Sequence, residues 1–223
     1  MKKALCLLTI ICCLILICFA GCTKQNVLLN SVSELRYMLF DGQSENYTIK
    51  ACYGFNEVPI NNDATVGNKV YRLTFRLLDK ELEDITYSLT FELNGETYKT
   101  DFKLNPITDT VTAHVEIENF NEKQFNVTVC AGSQNETVVL KTIVPEKTIS
   151  YQTALDCLAK EQKNLISAYT DENGNFNAEL FVRLVVKNGA PYWYVGIASG
   201  GNKLKALLID GLSGKTLAIR EIF

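Results

Sequence analysis

The sequence predicts two domains in series: an all-β sandwich, then a small α+β domain with one helix on a four-stranded antiparallel sheet. Three observations carry this expectation. Apolar and polar residues alternate with period two through most of residues 35–146. One helical stripe opens after Ser150, and four short strands with Gly- and Asn-rich turns follow it. The charge changes at the same place. Residues 22–146 hold 11 basic and 18 acidic side chains, whereas residues 147–223 hold 9 and 7, which sets the boundary near Pro145.

In the first domain, Tyr71, Leu73, Phe75 and Leu77 alternate with Arg72, Thr74 and Arg76. Tyr87 to Leu93 and Val111 to Ile117 repeat the pattern. Such alternation puts one row of side chains in a core and the other in water. Asn94-Gly95 separates two of these runs and suits a type I′ hairpin, whose two central residues both need positive φ. Further strands are expected at 35–40, 47–53, 97–104, 125–131 and 138–144. About eight short strands without an intervening helix imply antiparallel sheets packed face to face. In pattern this resembles an immunoglobulin- or fibronectin-like sandwich, without the Cys…Trp…Cys framework of true immunoglobulin domains.

In the second domain, Tyr151, Ala154, Leu155, Leu158, Leu165, Ile166 and Tyr169 fall on one helical stripe behind Ser150 as N-cap. Strands are expected near 179–187, 192–198, 203–210 and 216–222. The aromatic run Tyr192-Trp193-Tyr194-Val195 stands out, followed by Leu208-Ile209-Asp210 and the turn Gly211-Leu212-Ser213-Gly214. With these residues the domain resembles the PepSY family, first noted in peptidase propeptides; any other cystatin-like helix-on-sheet domain is the competing reading. The resemblance covers about 75 residues and implies a role beside a peptidase. Tyr192, Trp193 and Tyr194 are the candidate contact surface, because aromatic side chains bury much area at little entropic cost. Packing within the core or between domains is the competing reading.

The start of the chain gives an address. Lys2 and Lys3 precede seventeen residues, Ala4 to Ala20, of which only Thr9 is not apolar. This is the order of an export signal. Phe19-Ala20-Gly21-Cys22 resembles the lipobox of bacterial lipoproteins, with Phe where Leu is more usual. The resemblance implies a signal peptide over 1–21, cut between Gly21 and Cys22. It also implies a diacylglyceryl group on the Cys22 thiol and a lipidated tether over 22–34. The sandwich then occupies 35–146 and the α+β domain 147–223. An uncleaved transmembrane anchor is the alternative, and the apolar run is at the short limit for one. Either way the domains sit at the extracytoplasmic face of the cell membrane, held there by the lipid on Cys22 in the lipoprotein reading.

Three cysteines remain beyond the anchor: Cys52, Cys130 and Cys157. The number is odd, so at least one thiol is free or pairs between molecules. Cys52 and Cys130 both fall on the polar phase of their strands. A bond between them would therefore be a cross-strand pair on one sheet rather than a bridge through the core.

Catalytic patterns are missing from the sequence. The one histidine, His114, lies on the polar phase of its strand beside Glu116. No paired Cys/His spacing suggests a metal site, and there is neither a nucleophile elbow nor a Walker loop. The run Asp79-Lys80-Glu81-Leu82-Glu83-Asp84 lacks EF-hand spacing and reads as a charged loop. A net charge of −3 argues against nucleic acid as a partner. The expectation is therefore a lipid-anchored, non-enzymatic binding module without a cofactor, whose partner is a protein or another envelope component. The alternative is a regulator or inhibitor of a cell-surface peptidase acting through the PepSY-like domain.

Overall fold

The computed structural model describes residues 27–58, 66–78, 86–105, 108–199 and 203–222. The expected signal segment, Cys22 and the acidic run 79–84 lie outside these residues. Among the described residues, no helix is long and apolar enough to cross a membrane.

The architecture is dominated by strands, nearly all paired antiparallel. A helical turn, α1 (Val27–Asn30), leads into β1 (Val32–Gln43), β2 (Thr48–Val58), β3 (Asn68–Leu78), β4 (Tyr87–Leu93), β5 (Glu96–Asp101), β6 (Lys103–Asn105), β7 (Thr110–Glu116), β8 (Gln124–Ala131) and β9 (Gln134–Thr142). Then come α2 (Tyr151–Glu161), α3 (Lys163–Ser167) and a meander of β10 (Glu179–Lys187), β11 (Ala190–Ser199), β12 (Lys203–Asp210) and β13 (Thr216–Ile222).

One layer runs β1-β2-β3-β7-β6, and a second joins β5, β4, β8 and β9. The two layers meet where Phe40 and Asp41 of β1 pair with Thr142 and Lys141 of β9. Alternating residues of both layers interdigitate in one core, including Phe40, Ile49, Leu73, Phe75, Leu89, Val127, Val129 and Leu140. The Tyr53 hydroxyl is satisfied inside this core: it donates to the Ile117 carbonyl at 3.2 Å and accepts from the Phe120 amide at 3.3 Å. Asn94 and Gly95 have φ of 52° and 83°, as the hairpin between β4 and β5 requires.

A second core lies under the helices. Ser150 caps α2 through a bond from the Thr153 amide, 3.2 Å, and Ala154, Leu155 and Leu158 pack onto Val182, Trp193, Val195, Leu207 and Ile209. The helical stripe breaks at Gln162, whose φ of −110° and ψ of 40° separate α2 from α3, so the expected single helix comes in two pieces.

The main departure from expectation is at β1. The tether was expected to reach residue 34, yet Leu28 and Val32 are buried in the second core together with Leu35 and Phe55. The first half of β1 runs parallel to β10, with Val32 opposite Leu180 and Leu35 opposite Val182. Its second half lies in the first core. One strand therefore belongs to both bodies, and the sheet is continuous across the expected boundary at Pro145. Residues 27–35 carry no clean period-two pattern because 27–30 form the helical turn α1, and because Val32, Ser33, Glu34 and Leu35 are all buried where β1 lies between β10 and β2.

Candidate functional site

The pairing of β1 with β2 slips between Arg36 and Met38, which oppose Gly54 and Tyr53, so Tyr37 is an extra, bulged residue. A bulge shifts the phase of everything after it. Leu35 faces the second core, Phe40 the first, and Tyr37 stands where the two meet. Gly54 makes the bulge possible: a Cβ there would lie 1.7 Å from the Leu35 carbonyl oxygen.

Around Tyr37 the two bodies leave a cleft of about 660 Å³. Tyr71 of β3, which also packs against both cores, and Tyr151 at the start of α2 line it with Tyr37. The Tyr37 ring is 5.7 Å from Tyr53 and 6.3 Å from Tyr151, while Tyr71 contacts Phe55 at 5.3 Å. Met38 and Leu184 extend the apolar lining, and Glu122, Lys123 and Glu146 lie along it as charged groups.

The segment between β9 and α2 forms one wall, and local bonds fix it. Thr148 donates its amide and its hydroxyl to the Pro145 carbonyl, at 3.0 and 2.7 Å. The Ile149 amide donates to Gly211 at 2.8 Å, and the Ile149 carbonyl accepts the Trp193 indole N–H at 3.1 Å. The indole thus supports the wall from within the core.

Electrostatically the cleft favours neutral phenols. Burial, reinforced by the neighbouring Tyr53, Tyr71 and Tyr151, pushes Tyr37 up to about 12. Burial also raises Tyr151, with a smaller contribution from Tyr71. Neutral hydroxyls over an apolar floor are hydrogen-bond donors and stacking surfaces; they are neither nucleophiles nor bases at neutral pH.

The residues singled out from sequence are dispersed. Trp193 is 2% exposed and belongs to the second core. Tyr192 and Tyr194, on alternate positions of β11, are half-buried on the opposite face, so the three do not form one surface. His114 is exposed on the outer face of β7 opposite Thr74. Cys52, Cys130 and Cys157 are free thiols. Cys52 sits on β2 and Cys130 on β8, in different layers, which rules out the cross-strand bond. Among the described residues no group of three or more His, Cys, Asp or Glu side chains could hold a metal ion.

Sequence reasoning missed the cleft. Tyr71 and Tyr151 read as core positions, and Tyr37 has no local signal, because the bulge depends on Gly54 in another strand. In comparisons with known proteins, no family model matches the chain, and neither a curated protein nor a solved structure is significantly similar to it.

Proposed function

We propose that the chain is a lipid-anchored, extracytoplasmic binding module without catalytic activity, and that the tyrosine cleft takes its ligand. In this reading Cys22 carries the lipid. The strands through β9 act as an immunoglobulin- or fibronectin-like sandwich, and β10–β13 with α2 as a PepSY- or cystatin-like unit completed by β1. The observation that supports ligand binding most is the convergence of Tyr37, Tyr71 and Tyr151 on one cleft at the seam of two cores. Clefts between packed bodies, largely apolar with a few polar groups, are where proteins most often hold ligands. Such a lining suits a ligand with a flat, C–H-rich or aromatic face that also accepts hydrogen bonds.

The chain has one tryptophan, and its indole N–H is bonded to the wall of the cleft. Its emission should therefore shift when fractions of cell-envelope material fill the cleft, and the shift should be lost in Tyr71→Ala and Tyr151→Ala proteins that remain folded. An unchanged response in both variants would remove the cleft from the reading. Mass spectrometry of the cellular protein tests the anchor: a mature chain starting at acylated Cys22 is expected, and an intact Met1 would overturn it.

A second reading, control of a surface peptidase, draws on the helix-then-meander order of residues 147–223. It predicts that the full chain slows at least one extracellular protease. A folded chain with no effect across a protease panel would end it.

A further inference from the structure

The outer face of the layer β1-β2-β3-β7-β6 has a charge pattern that neither the tyrosine cleft nor the anchor uses. Asp41, Lys50, Arg76, Thr112 and Lys103 are each directly opposite the next on adjacent strands, forming one straight row across the sheet. Directly opposed residues share a face, so the row presents three cations and one anion to the same side. Asp41 reaches Lys50 at 3.8 Å. Among the described residues, Arg76 and Lys103 make no ion pair within 4 Å.

Two of the other acids near this face are already engaged. Glu116 holds Arg72 at 2.9 Å, and Glu34 holds both Arg36 and Arg183 at 2.6 Å. Asp101 lines the depression that holds Lys103 and, among the described residues, makes no ion pair within 4 Å. Lys50 and Arg76, both positive, are direct cross-strand neighbours, an arrangement that destabilises a sheet on its own. It occurs in the half of the chain that carries 11 basic against 18 acidic residues over 22–146. An anion between the two cations removes that penalty.

The face is also concave. A groove of about 610 Å³ runs over it, walled by Ile143 and Leu184, with the Thr74 and Thr112 hydroxyls and the His114 ring along its floor.

We propose that this groove, with the depression that continues it past Asn105, Thr112 and His114, binds a soluble linear polymer of repeating phosphates, with Lys50 and Arg76 in the groove and Lys103 in the depression as its main contacts. Strands are spaced ~4.8 Å apart, so the cations from Lys50 to Lys103 span roughly 14 Å, enough for successive charges of an extended polyanion and too long for one phosphate. The occupant is a free polymer rather than a lipid headgroup. The acidic body disfavours flat approach to an anionic bilayer, whereas a thin chain can lie in a walled groove. The proposal does not depend on the tyrosine cleft or on the lipid.

The test is binding of sodium polyphosphate to the full chain in neutral detergent, with inorganic phosphate and phosphatidylglycerol vesicles as parallel arms. Polyphosphate should bind, raise the thermal midpoint, and weaken as salt is added. Arg76→Gln and Lys50→Gln should each weaken binding roughly tenfold, as loss of one charge-assisted contact implies. Lys163→Gln on α3 should not. Arg76→Thr should also lose the anion-induced rise in midpoint while its ligand-free midpoint stays at or above that of the parent. Equal affinity of the parent, Arg76→Gln and Lys50→Gln proteins would overturn the proposal. So would inorganic phosphate competing as well as the polymer, or binding confined to vesicles.

Discussion

Glu34 of β1 and Arg183 of β10 are joined by two hydrogen bonds, at 2.8 and 2.6 Å, across the one parallel strand pair of the described fold. The Glu34 side chain is 10% exposed and also receives Arg36, so a single carboxylate ties both cations to the strand shared by the two cores.

Glu34→Ala leaves both guanidinium groups without their partner. The arginines are 45% and 41% exposed, so the cost falls between that of a surface pair and a buried one, about 2 kcal/mol. Urea unfolding should show it as a lower midpoint. A double-mutant cycle with Arg183→Met should return a favourable coupling smaller than that total, because Arg36 shares the carboxylate, and additive effects would deny the link.

Gly54→Ala should be among the most damaging single substitutions in the chain. The new methyl would meet backbone, the Leu35 carbonyl at 1.7 Å, which cannot turn aside as a side chain can. The expected cost is about 3 kcal/mol or more. Because the bulge must open, the response of Trp193 emission to cleft ligands should vanish as well. A folded Gly54→Ala protein of parental stability would mean that β1 and β2 approach less closely than described.

Tyr37 sets an alkaline limit. Its phenol titrates near 12 in the fold against an ordinary value of 10.0. The folded state therefore favours the neutral form. This contribution to stability is complete below pH 10 and is lost as pH rises through about 12. Ultraviolet titration of the phenolate should show a late phase that Tyr37→Phe removes. Loss of no such phase would reassign the shift.

The segment 147–223 should not fold alone. Without residues 27–58 its core lacks Leu28, Val32, Leu35 and Phe55. At roughly 1.5–3 kcal/mol for each large apolar side chain, their loss is comparable to the whole stability of a domain. An isolated fragment should show little near-ultraviolet signal from Trp193 and weak protection of β10 amides from exchange. A cooperative unfolding transition in that fragment would show the second core to be self-sufficient.

Local rules found most of the strands. Alternation located β2, β3, β4, β7 and β8 to within a few residues, because each has one face in a core. Asn94-Gly95 and Ser150 behaved as their backbone chemistry dictates. The failures were non-local. Val27-Leu28-Leu29-Asn30 resembles the end of a tether until β10, far along the chain, is placed beside it. The bulge at Tyr37 inverts the phase of β1, and its cause, Gly54, lies on a different strand. The same applies to the cleft: Tyr37, Tyr71 and Tyr151 converge only after the strands have paired. The cation row was hidden for a related reason, since Lys50, Arg76 and Lys103 are ordinary polar-phase residues until register aligns them.

The sharing of β1 bears on how the polypeptide is made. Glu34 and Arg183 are 149 residues apart, so β1 emerges from the ribosome long before its parallel neighbour exists. Until then one of its flanks offers unpaired amides and carbonyls to any passing strand, the usual starting point for misassembly. Pairing over such a separation is also slow. The nascent chain therefore has to be kept apart from its own kind until the meander arrives, and β10 docking is the step expected to limit its maturation.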